Sequence, residues 1–205
     1  MPDVICTEWA IAQENGLEDI VTATDNDVIV FPHVDSCCAF IFLMPDGSAL
    51  GGHASQLGPK DQFGPDASSE DMLERMLAKA GGAPHTIIAI CNADGWAEGF
   101  PTAQMKIPEL TNCQAANYCG ELKKAADIYV DLGTRRLQCQ DWVKGRRGDA
   151  EVPLQTNNWV LDEPLSRIRR TISGAIVPIV QGHPPKVHGR WCKFKTKVKR
   201  ALHIG

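Results

Sequence analysis

Val28-Ile29-Val30-Phe31, then Val34-Asp35-Ser36-Cys37-Cys38-Ala39-Phe40-Ile41-Phe42-Leu43, then Pro45-Asp46-Gly47, then Gly51-Gly52-His53-Ala54-Ser55 is the stretch on which the fold turns. Residues 28–31 and 38–43 are apolar runs rich in Ile, Val and Phe, the composition of buried strands. Pro-Asp-Gly reverses the chain: Pro presets φ, Asp bonds its own backbone and Gly accepts a positive φ. Residues 48–54 then make the return strand of a hairpin. That hairpin brings His53 back beside Cys37 and Cys38. Successive strand side chains point to opposite faces, so only one of the two cysteines can share a face with His53. A thiol with an imidazole in reach is the minimum apparatus for a cysteine nucleophile and its general base.

Outward from the hairpin, residues 5–24 hold Trp9, Ile11, Leu17, Ile20 and Val21 at mixed spacing and read as a strand or a short helix. Gly58, Pro59, Gly64 and Pro65 make 56–67 a loop. A helix follows, capped by Ser68 or Ser69 with Glu70 and Asp71 in its first turn. Met72, Leu73, Met76 and Leu77 form its apolar stripe, and Gly81-Gly82 stops it. Thr86 to Cys91 is a buried strand by composition, and 92–101 is a loop bearing Trp96. A second helix is expected over 112–126. Asp127 to Cys139 reads as a hairpin turning near Gly133, and 144–149 as a linker or exposed turn. An amphipathic segment at 164–172 and an apolar strand at 175–180 precede an irregular stretch, 181–190.

The chain has 205 residues, 43% hydrophobic and 22% charged, which suits one domain, or one domain with an appendage, and supplies a core. No apolar run is long enough to span a bilayer, and the N-terminus lacks the basic and apolar regions of a secretory signal. The expected location is the cytoplasm, or a target cell reached by a route that needs no signal peptide. The eight cysteines include no C-x-x-C pair, so free thiols in a reducing compartment are expected rather than a disulfide framework.

The net charge of −4 conceals an asymmetry. Residues 1–120 carry net −13 and residues 121–205 net +9. Either the two halves neutralise each other within one fold, or a basic end meets an acidic partner. Lys186, Arg190, Lys193, Lys195, Lys197, Lys199 and Arg200 crowd that end, with Trp191 and Phe194 among them. Nucleic-acid or anionic-surface binding is chemically open to such a run. A solvated edge strand guarded by lysines is the preferred reading, and nucleic acid is disfavoured.

The residues quoted first resemble the CheD family, bacterial chemoreceptor glutamine deamidases. The shared pattern is an apolar strand, a Ser-Cys turn (Ser36-Cys37), a second apolar strand, Gly-Gly and a histidine. The same Cys–His arrangement recurs in deamidating toxins such as the cytotoxic necrotizing factors. The resemblance spans about residues 26–140 and is specific only over 28–53. It implies an α+β protein with a layered β-sandwich core and flanking helices. Residues 1–150 would be the catalytic domain and 151–205 an extension with the basic end, packed on the same domain.

It also implies a thiol amidohydrolase acting on a protein that bears a reactive glutamine, with no cofactor and no metal. Cys37 would be the nucleophile, favoured over Cys38 by its place after Ser36, and His53 the base. The family's turn is Gly-Ser-Cys, where this chain has Asp35-Ser36-Cys37, and the family usually inserts residues between the glycines and the histidine. The threonine that the family carries six residues before its cysteine is Phe31 here. The third member of a triad is therefore left to Asp35, Gln56 or a backbone carbonyl. A bacterial effector or toxin is one setting for this chemistry. The alternative is a non-catalytic binding module on the same scaffold, with the basic C-terminus as its partner surface.

Other constellations are weaker. His183, His188 and Cys192 lack a fourth ligand nearby for structural zinc, though His203 is a distant option. Cys113 and Cys119 also lack a partner. No phosphate-binding glycine motif and no G-x-S-x-G elbow occurs.

Overall fold

The structure, a computed structural model, describes residues 3–7, 20–55, 65–92, 116–143, 158–168 and 176–181. Eleven strands run in chain order: β1 Val4–Cys6, β2 Ile20–Ala23, β3 Val28–Val34, β4 Cys37–Leu43, β5 Ala49–Ser55, β6 Thr86–Asn92, β7 Ala116–Leu122, β8 Ala126–Asp131, β9 Arg136–Asp141, β10 Trp159–Pro164 and β11 Ile176–Pro178. Helix α1 spans Pro65–Ala80 and the single turn α2 spans Leu165–Ile168. The strands make a five-stranded sheet, β1-β3-β8-β9-β10, and a six-stranded sheet, β11-β7-β6-β4-β5-β2. The protein is thus α+β, with two sheets face to face and α1 on the outer face of the larger one.

Alternation in β4 sorts its side chains between two cores. Ala39, Ile41 and Leu43 join Ile29, Phe31, Ile88, Ile90, Ile128 and Val130 between the sheets. Cys38, Phe40 and Phe42 join Met72, Leu73 and Met76 of α1 on the other side. Every residue of β4 and β6 is buried, as expected of central strands covered on both faces. The reversal after β4 follows its sequence: Gly47 takes φ +93°, and Asp46 Oδ1 accepts from Ser48 N at 2.9 Å and from Ser48 Oγ at 2.6 Å.

Two expectations are corrected. Residues 116–122, expected within a helix, are β7, which pairs in parallel with β6. Tyr118 and Leu122 face the inter-sheet core and Cys119 faces the α1 layer; Asn117 and Glu121 stand four apart, a spacing that a helix face shares, and Ala116, Glu121 and Leu122 favour a helix locally. Helix α1 begins at Pro65 rather than at Ser68, because a proline is preorganised for the first helical turn and needs no N–H there. Its stop at Gly81, φ +65°, matches the sequence.

Residues beyond 150 supply an edge strand to each sheet, β10 on β9 and β11 on β7. Gln181 fastens the second of these. Its Oε1 accepts from Lys123 N and Lys124 N, both at 2.8 Å, and its Nε2 donates to Lys124 O at 3.1 Å and Asp141 Oδ1 at 3.0 Å. Gln181→Ala is expected to cost about 1–2 kcal/mol, read as a lower urea midpoint with an unchanged slope. The loops at 56–64 and 93–101, the linker at 144–149, Gln56, Trp96 and the basic end from 182 onward lie outside the described residues. No described helix is long and apolar enough to cross a membrane.

Candidate active site

Cys37 opens β4 and His53 lies near the end of β5. In the antiparallel register Cys37 stands opposite Ser55 and Ala39 opposite His53. Cys37 and His53 are therefore diagonal neighbours on the inter-sheet face, a relation in which Cα atoms lie about 7–8 Å apart. Cys38 points to the other face, into the α1 layer beside Cys91 and Cys119. Strand alternation thus gives the imidazole to Cys37.

The histidine is held from the opposite sheet. Thr7, directly after β1, has its backbone N on Val30 O at 2.9 Å and its Oγ1 on the same carbonyl at 3.2 Å. The same Oγ1 lies 3.3 Å from His53 Nδ1. With the hydroxyl proton on the carbonyl, Oγ1 offers a lone pair and Nδ1 carries the proton; with it on Nδ1 the roles reverse. The first arrangement puts the basic lone pair on Nε2. Phe31 meets the His53 ring edge-on, with centroids 6.0 Å apart at 64°. The hydroxyl and the ring that orient His53 come from β1 and β3, and Thr7 has no signal in the sequence beyond a lone polar residue after three strand residues.

Asp35 is exposed, and its Oδ1 accepts from Asn92 Nδ2 at 3.1 Å. Asn92 ends β6, on the parity of Ile88 and Ile90, which face the inter-sheet core. Gln56 lies outside the described residues. Among the described residues, the register sets Cys37 and His53 on one diagonal of β4 and β5, Thr7, just past β1, lies against His53, and Asp35 is bonded to Asn92 near the start of β4.

The site is dry. Cys37 is 5% exposed, His53 2% and Thr7 fully buried. Burial pushes the Cys37 thiol up to about 11 from its ordinary 9.0; a hydrogen bond from Ser36 opposes this and the Asp35 charge adds to it. The resting thiol is therefore neutral, and a nucleophile at neutral pH requires proton transfer during attack. Burial likewise drives Cys38 well up and Cys119 up to about 12. A thiol whose folded value is raised holds its proton where the unfolded chain has released it. Its contribution to stability is complete below the ordinary value and is lost as pH rises toward the folded one. Melting temperature is thus expected to fall from pH 9 to pH 11, at up to about 1.4 kcal/mol per pH unit for each such thiol, measured by thermal denaturation across that range. A Cys119→Ala variant should show a shallower fall.

Among the described residues, no group of three or more His, Cys, Asp or Glu is placed to hold a metal ion. A cavity of about 390 Å³ opens at the far end of β4, lined by Leu43, Met44, Leu132, Arg135 and Leu165, and it includes none of the Cys–His residues. No protein-family model matches the chain, and no curated protein matches it.

Proposed function

We propose that this protein is a cysteine amidohydrolase that deamidates glutamine side chains of a protein substrate, as the resemblance of residues 28–53 to CheD-like deamidases implies. The observation that carries the reading is the placement of Cys37 and His53 on one face of adjacent strands, with the imidazole Nδ1 tied to Thr7. In this mechanism His53 Nε2 takes the Cys37 proton as sulfur attacks the carboxamide carbon. The same nitrogen returns the proton to the leaving ammonia. Water, deprotonated by His53, then cleaves the thioester to give glutamate and restore the thiol. Negative charge develops on the substrate oxygen in both steps, and backbone N–H groups near Cys37 are the donors at hand. The recessed thiol favours a slender, flexible side chain, and glutamine has that shape. The same chemistry fits a bacterial effector or toxin acting on a foreign protein.

The second reading is a non-catalytic binding module on the same scaffold, with the basic C-terminus as partner surface. The raised Cys37 thiol favours it, since a structural buried cysteine is inert. Incubation of a cell extract with the protein in ¹⁸O-water separates the two. Glutamines converted to ¹⁸O-bearing glutamate by the wild type and not by Cys37→Ser support the deamidase. Identical peptide spectra for the two proteins support the binding module.

A further inference from the structure

Three polar groups meet at the mouth of the thiol: Asp35, Asn92 and Cys37 itself. The register Cys38 opposite Cys91 places Asn92 one rung further on, across from Cys37, and both residues have inter-sheet parity. The Asn92 carboxamide is 8% exposed, and its Nδ2 donates to the exposed Asp35 carboxylate at 3.1 Å. Asp35 is also near enough for its charge to act on the Cys37 thiol. A fixed N–H donor and a carboxylate acceptor, side by side at a nucleophile, mirror the two ends of an unsubstituted carboxamide. Its oxygen accepts and its NH₂ donates.

We propose that Asn92 and Asp35 form a clamp that selects primary carboxamides at Cys37. This deepens the amidohydrolase reading and rests on it. In the resting protein Asn92 Nδ2 donates to Asp35 Oδ1. On binding, Asn92 Nδ2 donates to the substrate carbonyl oxygen and Asp35 accepts from the substrate NH₂. The clamp turns away the two near relatives of the substrate. A carboxylate, the product, meets like charge at Asp35, which promotes its release. A peptide bond or tertiary amide lacks the pair of N–H donors, so proteolysis is disfavoured at a site otherwise equipped with the same Cys and His. Asn92 is the buried member of the pair, so a ligand that cannot accept from its Nδ2 leaves a buried donor unmet, while Asp35 adds a solvent-exposed acceptor and charge.

The test uses two neutral alkylating probes, iodoacetamide and 2-iodo-N,N-dimethylacetamide, on the full-length protein, with glutathione as reference thiol and Cys37 followed by peptide mass spectrometry. The first probe carries a primary carboxamide and the second the same carbonyl without N–H. The expected result is a primary-to-tertiary rate ratio at Cys37 about tenfold above that of glutathione, the size of one hydrogen bond to a charged acceptor. Asp35→Ala should return the ratio to the glutathione value. Because Asp35 is exposed, that variant is not expected to disturb folding. Asn92→Ala should slow both probes alike, since both present the carbonyl oxygen. A wild-type ratio equal to that of glutathione, a ratio that survives Asp35→Ala, or a Cys37 inert to both probes overturns the clamp. His53→Ala separates the two levels. If it slows Cys37 while the ratio is flat, the clamp falls and the amidohydrolase stands; if it changes nothing, the amidohydrolase reading falls as well.

Discussion

Under the proposed amidohydrolase reading, Cys37→Ser is expected to reduce amide hydrolysis to background, and His53→Ala to lower kcat by about 10²–10⁴-fold, the range spanned by a positioned general base. The resting thiol is the reason the histidine effect is large. With Cys37 held at about 11, almost no thiolate exists near neutrality, so attack depends on a base that removes the proton as the bond forms. Thr7→Val should fall between these variants and the wild type. It deletes the oxygen that meets Nδ1 while keeping the volume, and the loss of one neutral hydrogen bond of about 1 kcal/mol corresponds to roughly fivefold in kcat. Far-ultraviolet circular dichroism and melting temperature, measured on the same three variants, check that the fold is intact. Equal turnover by wild type and His53→Ala would remove the imidazole from the mechanism.

Gly51→Ala is expected to be the most damaging small change in the core, at about 3 kcal/mol, the upper part of the range for overpacking. A Cβ on Gly51 would lie 2.8 Å from Ile29 Cγ2 and 2.8 Å from Phe31 Cζ, atoms of a branched chain and a ring packed between two sheets. Neither has a free rotamer to retreat into, so the sheets must part. Gly52 is the instructive contrast. Its Cβ would meet the sulfur atoms of Met76 and Met72, on unbranched side chains that adapt. Those approaches are as close, at 2.5 and 2.7 Å, so Gly52→Ala should still cost about 1–2 kcal/mol, the lower part of the overpacking range. Paired urea denaturation of the two alanine variants measures the difference. Gly51→Ala should also lower activity beyond its effect on stability, because Phe31, which it displaces, sets the edge of the His53 ring. The adjacent glycines thus have separate duties, one admitting the second sheet and the other seating α1.

The β4–β5 hairpin was legible because its signals are local. Two apolar runs, a Pro-Asp-Gly turn and the period of two suffice to bring His53 to Cys37. The same period, applied to the observed register, decides between Cys37 and Cys38. The helix stripe of Met72, Leu73 and Met76 was legible for the same reason. What escaped depends on distant pairing. Residues 116–122 combine helix-forming Ala, Glu and Leu with only two polar side chains, Asn117 and Glu121, whose spacing of four suits a helix turn as well as a strand face. Thr7 acquires its role only when β1 pairs with β3 and the two sheets close, which sets its hydroxyl against a histidine 46 residues away. Asn92 reads as the first residue of a loop; it is the last residue of β6, and the register with β4 sets it across from Cys37. The edge strands β10 and β11 likewise gain their meaning from partners far back in the chain.

The most direct measurement is the pH dependence of Cys37 alkylation by iodoacetamide, from pH 5 to pH 11, in the wild type and in His53→Ala. With His53 Nε2 acting as the base, the expected wild-type rate reaches its plateau well below the thiol's own value of about 11, and the plateau disappears in the variant. A rate that climbs in step with hydroxide up to about pH 11, identically in both proteins, would show a thiol that ionises alone and would contradict the Cys–His site.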